Sequence, residues 1–174
     1  MITLVTGGIK SGKSSHALEI LKSFQNCAFI ATTDPDDESM KEKILAHRKE
    51  RENLSITVFE EKVNISPLVK KLSFTHDAVI LDCLTMWMSN VMFTYSEKSE
   101  RDFLIGDLLT SLSSLPNHCI IITNETGLGI VPENKLARAF GQELGVLNQS
   151  IARISDSVIF MVSGIPWFIK NGPK

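Results

Sequence analysis

A glycine-rich stretch near the start of the chain has the residue types and the spacing needed to bind phosphate. The stretch is GGIKSGKS, residues 7–14, and it fits the pattern G-x-x-x-x-G-K-[ST]. The apolar run ITLVT precedes it, and the helix-like sequence SSHALEILKSF follows it. Glycines let backbone N–H groups approach phosphate oxygens, and the N-terminus of the following helix adds partial positive charge. The stretch therefore predicts a nucleoside triphosphate site between a strand and a helix.

Each part of this loop has an expected role. Lys13 is predicted to act as a catalytic residue that reaches the β- and γ-phosphates, and the Ser14 hydroxyl is predicted to bind Mg²⁺. The predicted nucleotide-binding residues of the loop are Gly7, Gly8, Ile9, Lys10, Ser11, Gly12, Lys13 and Ser14.

A carboxylate later in the chain is predicted to complete the metal site. Residues 78–82, AVILD, form an apolar run that ends in Asp82. Phosphate-loop proteins carry the acidic residue of their Mg²⁺ site at the end of such a strand. Asp82 is therefore predicted to bind nucleotide and metal together with Ser14. The alternative is that Asp82 only caps the next helix.

His47 is the histidine that could form a covalent bond during catalysis. It lies in DDESMKEKILAHRKERE, where Met40, Ile44 and His47 fall on one helix face. Spacing alone favours a core histidine. A neutral imidazole is also a good nucleophile near neutral pH, and Arg48 and Arg51 would attract an anion beside it. Both interpretations stay open on spacing. Solvated or structural positions are predicted for the other histidines, His16, His76 and His118.

Polar residues also follow a later apolar strand. Asn124 and Glu125 come directly after CIIIT, and Gly127 and Gly129 follow them. Ligands bind at the carboxyl ends of strands in open α/β sheets, so these side chains could bind a polar substrate or position water. The alternative is a flexible turn that ends in a helix cap.

Apolar runs of strand length alternate with helical patterns along the whole chain. Strands are predicted over residues 2–6, 27–31, 56–59, 78–82, 119–123 and 157–162. Helices are predicted over 12–24, 36–52, 66–72, 86–95, 101–115 and 132–154, with a surface loop over 94–102. This alternation predicts an α/β protein of the phosphate-loop NTPase type, with a three-layer fold, a mainly parallel sheet and a RecA-like core. Residues 1–174 are predicted to form a single domain.

Composition excludes several classes of function. The net charge of −2 gives no basic surface for nucleic acid, and the longest apolar runs are too short to span a membrane. The first residues lack the features of a signal peptide, and the three cysteines are predicted to be buried and reduced. A cytoplasmic location is therefore predicted.

Four blocks of the sequence together resemble one enzyme family. They are LVTGGIKSGKSSHAL, FIATTDPDDESMKEKILAHRKER, DAVILDCLTMWMSNVM and TNETGLGIVPENKLARAFGQELGVLNQSIARISDSVIFMVSGIP. In this order they resemble the bifunctional adenosylcobinamide kinase / adenosylcobinamide-phosphate guanylyltransferase family of cobalamin assembly. The resemblance spans nearly the whole chain and is most specific in the last block. Glu52 and Trp167-Phe168 depart from the family pattern.

The resemblance implies two reactions and a set of residues that perform them. A nucleoside triphosphate, ATP or GTP, phosphorylates adenosylcobinamide, and GTP then guanylylates that phosphate through a GMP–histidine intermediate. The stretch HRKER matches the family's acceptor histidine, which makes His47 the predicted nucleophile. Thr33, Arg51 and the pair Glu60/Glu61 fall where the family contacts nucleotide. The resemblance also implies a homo-oligomer, a trimer in the family.

Two other functions remain as alternatives. The chain could be a phosphate-loop kinase of a small molecule in which His47 is structural. It could also be a nucleotide-binding switch that is not an enzyme. A GMP adduct at His47 distinguishes the predicted bifunctional enzyme from both.

Overall fold

The computed structural model describes residues 1–33 and 55–171, which contain seven strands and five helices. The strands are β1 (Ile2–Gly7), β2 (Asn26–Ala31), β3 (Ser55–Glu60), β4 (Ala78–Asp82), β5 (His118–Ile122), β6 (Ser157–Val162) and β7 (Ile165–Lys170). The helices are α1 (Lys13–Leu21), α2 (Ile65–Ser73), α3 (Leu84–Thr94), α4 (Lys98–Ser113) and α5 (Lys135–Ile154).

The strands form one sheet in the order β3-β2-β4-β5-β1-β6-β7. Six of them are parallel, and β7 pairs antiparallel with β6. The carboxyl ends of the six parallel strands therefore share one edge, which we call the carboxyl edge. The opposite edge is called the amino edge.

Helices cover both faces of the sheet. On one face, α1 packs Ala17, Leu18 and Leu21 against the central strands. On the other face, α2, α3, α4 and α5 share one apolar core. This core includes Trp87 of α3, which is fully buried and donates its indole N–H to the Val63 carbonyl at 2.8 Å. The central strands are buried along their whole length, which explains why they are apolar at successive positions instead of alternating ones. The predicted three-layer α/β fold with a mainly parallel sheet is confirmed.

Apart from shifts of one to three residues at the ends of other elements, the predicted strands and helices differ from the observed ones in three places. Strand β7 was not predicted, because its sequence IPWFIK contains Pro166; an edge strand tolerates a proline that a central strand does not. Helix α5 begins at Lys135, not at Pro132. Asn134 is its N-cap, and the Asn134 Oδ1 accepts a hydrogen bond from the Ala137 N–H at 3.0 Å.

The predicted surface loop over residues 94–102 is wrong in its second half, where α4 begins at Lys98. Lys98 pairs with Asp102 at 2.6 Å one helical turn later. Arg101 pairs with Glu143 of α5 at 2.7 Å, and this hydrogen bond raises the pKa of Arg101. The polar composition typical of a loop here belongs to a helix held by i,i+4 and interhelical ion pairs.

The described residues do not test every prediction about organisation. The predicted helix over 36–52 lies outside them, and the single-domain prediction stays a prediction. Among residues 1–33 and 55–171, no helix has the length and apolar character required to cross a membrane.

Candidate nucleotide site

The glycine-rich loop joins β1 to α1 at the carboxyl edge, as the motif predicts. Two of its glycines are required by the backbone. Gly7 has φ of 149°, and a Cβ there would lie 2.5 Å from the Met161 carbonyl oxygen of β6. Gly12 has φ of 96° and is the N-cap of α1, and a Cβ there would lie 3.2 Å from the Gly164 Cα. Side chains at either position would push the loop away from the neighbouring strands.

The turn between β6 and β7 supports this loop from the side. Ser163 and Gly164 both have positive φ, 51° and 84°, as a two-residue hairpin turn requires. The Gly164 N–H donates to the Ser11 carbonyl at 3.0 Å. This contact was not predicted, although the dipeptide Ser163-Gly164 after an apolar strand is a turn signal.

Lys13 is the first residue of α1 and lies over the loop. Its side chain is buried, and its Nζ donates to the Gly8 carbonyl at 2.6 Å and to the Gly7 carbonyl at 3.2 Å. The ammonium is therefore held at the N-terminus of α1, where the backbone N–H groups also point toward an incoming anion. Positive charge converges here, as binding of a polyphosphate requires.

Ser14 and Asp82 are brought together although 68 positions separate them in the chain. The Ser14 hydroxyl donates to the Asp82 Oδ2 at 3.0 Å. A hydroxyl and a carboxylate are oxygen ligands of the kind that Mg²⁺ prefers, and Mg²⁺ takes its other ligands from phosphates and water. In the described part of the chain, no cluster of three or more His, Cys, Asp or Glu side chains could hold a metal. The Ser14–Asp82 pair fits an ion that arrives with a nucleotide.

A threonine that was not predicted fixes the strand end beside Asp82. The Thr32 hydroxyl donates to the Cys83 carbonyl at 2.8 Å and accepts from the Cys83 N–H at 2.9 Å, which ties the end of β2 to the end of β4. Burial, and then the charge of Asp82, raise the pKa of the Cys83 thiol. The thiol next to Asp82 therefore stays protonated near neutral pH.

Thr33 and Glu61 follow two neighbouring strands on the same edge. Thr33 follows β2 and is buried, and Glu61 follows β3, where its N–H donates to the Ala31 carbonyl at 3.1 Å. The Glu61 Oε1 accepts from the N–H groups of Val63 and Asn64, both at 2.9 Å, at the start of α2. Strand β2 is three strand spacings from β1, roughly 14 Å, and it lies next to β4, which ends in Asp82. His47 and Arg51 lie outside the described residues.

Asn124 and Glu125 lie between the loop and Asp82, because β5 lies between β1 and β4. The Asn124 backbone N–H and Nδ2 both donate to the Thr85 Oγ1, at 2.8 and 3.1 Å. Asn148 of α5 accepts from the Thr123 hydroxyl at 2.8 Å and donates to the Asn124 carbonyl at 3.1 Å. Asn124 is thus hydrogen-bonded at the strand end, whereas the residues after Glu125 form a turn that leads to the Asn134 cap of α5. Sequence reasoning missed Thr85 and Asn148, whose helical contexts gave no sign that they hold a strand end.

The other histidines and the cysteines occupy structural positions. His118 is buried and its Nε2 lies 2.9 Å from the Thr3 Oγ1, while burial lowers the pKa values of His16 and His118. All three cysteines are buried and free, as predicted, and burial raises the pKa of Cys119 to about 12.

Comparison with known proteins identifies relatives over the full length. The family model for CobU, cobinamide kinase / cobinamide phosphate guanyltransferase, matches residues 3–169. The bifunctional adenosylcobalamin biosynthesis protein CobU of Escherichia coli K12 is 34% identical, and the match covers 98% of this chain and 100% of that protein. CobP of Pseudomonas aeruginosa, which carries the same description, is 33% identical over 99% of both chains. CobU of Salmonella typhimurium is 32% identical over 98% of this chain and all of the relative.

Solved structures share the fold at low sequence identity. A KaiC-like protein from Pyrococcus horikoshii has a TM-score of 0.55 and 16% identity, covering 91% of this chain and 69% of that one. An ATPase from a bacterial type III secretion system has a TM-score of 0.57 and 11% identity, covering 91% of this chain and 50% of that one. These likenesses agree with the predicted RecA-like core.

Proposed function

Because this chain belongs to the cobinamide kinase / cobinamide phosphate guanyltransferase family, we propose that it catalyses two successive transfers in cobalamin biosynthesis. In the first, ATP or GTP phosphorylates the aminopropanol hydroxyl of adenosylcobinamide. In the second, GTP transfers GMP to that phosphate through a guanylyl-histidine at His47, and adenosylcobinamide-GDP results. The family identified from the sequence motifs is confirmed.

The observation that carries the kinase half is the convergence of Lys13, Ser14 and Asp82 on one loop. Lys13 lies over the loop carbonyls, and the Ser14 hydroxyl contacts the Asp82 carboxylate at 3.0 Å. When Mg²⁺ is bound with the nucleotide, it supplies positive charge that offsets the charge on the phosphates. Phosphoryl transfer depends mostly on positioning and on such charge neutralisation, and little on covalent chemistry by the protein. The predicted loop residues, Gly7 to Ser14, are proposed to hold this nucleotide.

The guanylyltransfer half needs a nucleophile and a second position for nucleotide. A neutral ring nitrogen of His47 would attack the α-phosphorus of GTP, and the bond to the β-phosphate would break to release pyrophosphate. A phosphate oxygen of adenosylcobinamide phosphate would then attack the same phosphorus and displace the histidine. Thr33, Arg51 and Glu61 are proposed to contact this nucleotide.

The proposal includes a homo-oligomer, a trimer by family resemblance. Its support is the exposure of large apolar side chains in two places. The segment before α5 exposes Ile130 (97%) and Val131 (74%), and β7 exposes Trp167 (65%). Exposed apolar groups of this kind mark surfaces that meet another molecule.

The test of the proposed function is intact-protein mass spectrometry after incubation with GTP and Mg²⁺. The wild type is expected to gain the mass of one GMP, and acid is expected to remove it, because phosphoramidates are acid-labile. His47→Ala should abolish the gain. His76→Ala is the matched control, since His76 lies at the amino edge with its Nδ1 2.9 Å from the Thr75 hydroxyl, and it should retain the gain.

Absence of the adduct in the wild type, with no pyrophosphate released, would contradict the guanylyltransferase half. Phosphorylation of adenosylcobinamide without an adduct would instead favour the second candidate, a phosphate-loop kinase of a small molecule. The geometry of Lys13, Ser14 and Asp82 supports that candidate equally well, and only the family match favours both activities.

A further inference from the structure

Glu125 lies on the carboxyl edge between the phosphate loop and Asp82. Strand β5 has β1 on one side and β4 on the other, so its end is about one strand spacing, roughly 4.8 Å, from each. The pairing of β5 with β1 continues past Ile122, because the Glu125 N–H donates to the Gly7 carbonyl at 3.1 Å. The same Gly7 carbonyl accepts from Lys13 Nζ at 3.2 Å. The backbone of Glu125 is thus fixed beside the group expected to contact the γ-phosphate.

The carboxylate of Glu125 has one oxygen held and one available. Its Oε1 accepts from the Gly127 N–H at 3.1 Å, and the side chain is only partly buried. Its Oε2 has no hydrogen-bond partner within residues 1–33 and 55–171. An oriented carboxylate with an available oxygen can accept a proton.

Two helices hold the residue preceding Glu125. Thr85 of α3 accepts twice from Asn124, and Asn148 of α5 donates to the Asn124 carbonyl. Asn148 is buried, and it is also bonded to the Thr123 hydroxyl. Catalytic groups need such support, because small displacements of a reacting group cost large factors in rate.

The other carboxylates that end described strands are less well suited to take a proton in this reaction. Asp82 accepts from Ser14 and is expected to face the metal. Glu61 already accepts from two backbone N–H groups. Glu60 ends β3, which is four strand spacings from β1, roughly 19 Å.

We infer that Glu125 is the general base of the phosphoryl transfer, a role that rests on the kinase half of the proposed function. The substrate hydroxyl oxygen forms a bond to the γ-phosphorus as the bond between that phosphorus and the β–γ bridging oxygen breaks. The hydroxyl proton passes to the Glu125 carboxylate, and the nucleoside diphosphate leaves with the electron pair of the broken bond. The proton then returns to solvent. No co-reactant beyond nucleotide and alcohol is needed.

Glu125→Gln tests the inference with little change in shape. The amide oxygen can still accept from Gly127, but glutamine cannot accept a proton. General-base catalysis contributes about 10²–10⁴-fold, so kcat for phosphate transfer from γ-labelled ATP or GTP to adenosylcobinamide should fall by about 100-fold or more. KM for both substrates should change little. Glu125→Asp, which keeps a carboxylate one methylene shorter, should retain more activity than Glu125→Gln.

Two further measurements separate this role from a structural one. The GMP adduct of Glu125→Gln should form to the wild-type extent, because guanylylation of His47 involves no alcohol. Glu133→Gln, an exposed glutamate of the same segment, should leave kcat unchanged.

Four results would overturn the inference. They are an unchanged kcat in Glu125→Gln, a rise in KM alone, loss of the adduct together with kinase activity, and equal loss in the Asp and Gln variants. If wild-type protein does not phosphorylate adenosylcobinamide at all, the kinase half of the proposed function fails, and the inference fails with it. That outcome is distinct from an active wild type with an equally active Glu125→Gln.

Discussion

The two edges of the sheet use their polar side chains in opposite ways. At the amino edge, side chains bond to the backbone where strands begin. The Asp156 Oδ2 accepts from the Ile2 N–H at 2.6 Å, and the Asp77 Oδ2 accepts from the Asn26 N–H at 2.9 Å. At the carboxyl edge, Lys13, Ser14 and Asp82 converge around a glycine-rich loop.

The difference follows from the direction of parallel strands. Connections at the amino edge only have to start strands, so their polar side chains satisfy backbone groups that would otherwise lack partners. At the carboxyl edge, β1 ends in Gly7 of the glycine-rich loop and β4 ends in Asp82. The N-terminus of α1 adds positive charge there. We expect substitutions at the carboxyl edge to change catalysis more than stability, and substitutions at the amino edge to do the reverse.

The largest effect is expected for Lys13→Ala at the carboxyl edge. Removing one preorganised donor from a site of developing charge costs about 10²–10³-fold in kcat. Steady-state phosphorylation of adenosylcobinamide measures this loss, and thermal unfolding should show little change. Lys22→Ala is the matched control, because Lys22 is an exposed lysine at the other end of α1, and its effect should be far smaller. Equal losses in the two variants would contradict a specific role for the buried ammonium.

A smaller effect, on stability, is expected for Asp156→Ala at the amino edge. The change leaves the N–H of the buried Ile2 without its acceptor, which should lower the free energy of unfolding by about 1–2 kcal/mol. Chemical denaturation measures it, while kcat should stay at the wild-type value. Asp156→Asn keeps an acceptor oxygen and should lose less. A large loss of kcat in fully folded Asp156→Ala would contradict the expectation that the amino edge affects stability and not catalysis.

The smallest effect is expected from His118 as the pH falls. Burial, and then the charge of the N-terminal amine, lower its pKa in the folded protein, so the unfolded chain binds the proton more readily. Stability is therefore fully present above the ordinary histidine pKa of about 6.5 and decreases as pH falls below it. Denaturation at pH 7.5 and 5.5 should show this decrease.

His118→Gln should reduce the dependence on pH without abolishing it, because burial lowers the pKa of His16 in the same direction. If the stability of His118→Gln changes with pH as steeply as that of the wild type, His118 does not contribute to the pH dependence.

The sequence alone predicted the candidate site residues at the carboxyl edge and most of the helices and strands. Lys13, Ser14 and Asp82 were predicted because the motif spacing and the apolar run before Asp82 are local signals. The residue pattern also predicted six of the seven described strands, since buried parallel strands are apolar at successive positions. Strand β7 was not predicted, because it contains Pro166 and is mostly exposed, so it lacks the continuous apolar pattern of a buried strand.

Only the tertiary structure decided which of these residues meet. Strand order places β5 between β1 and β4, which brings Glu125 beside the loop. The fold also brings Ser14 against Asp82. The buried Asn148 and the turn at Gly164 act on residues far away in the chain. Local sequence cannot specify such contacts, because they depend on how the crossover helices pack on both faces and thereby set the order of the strands.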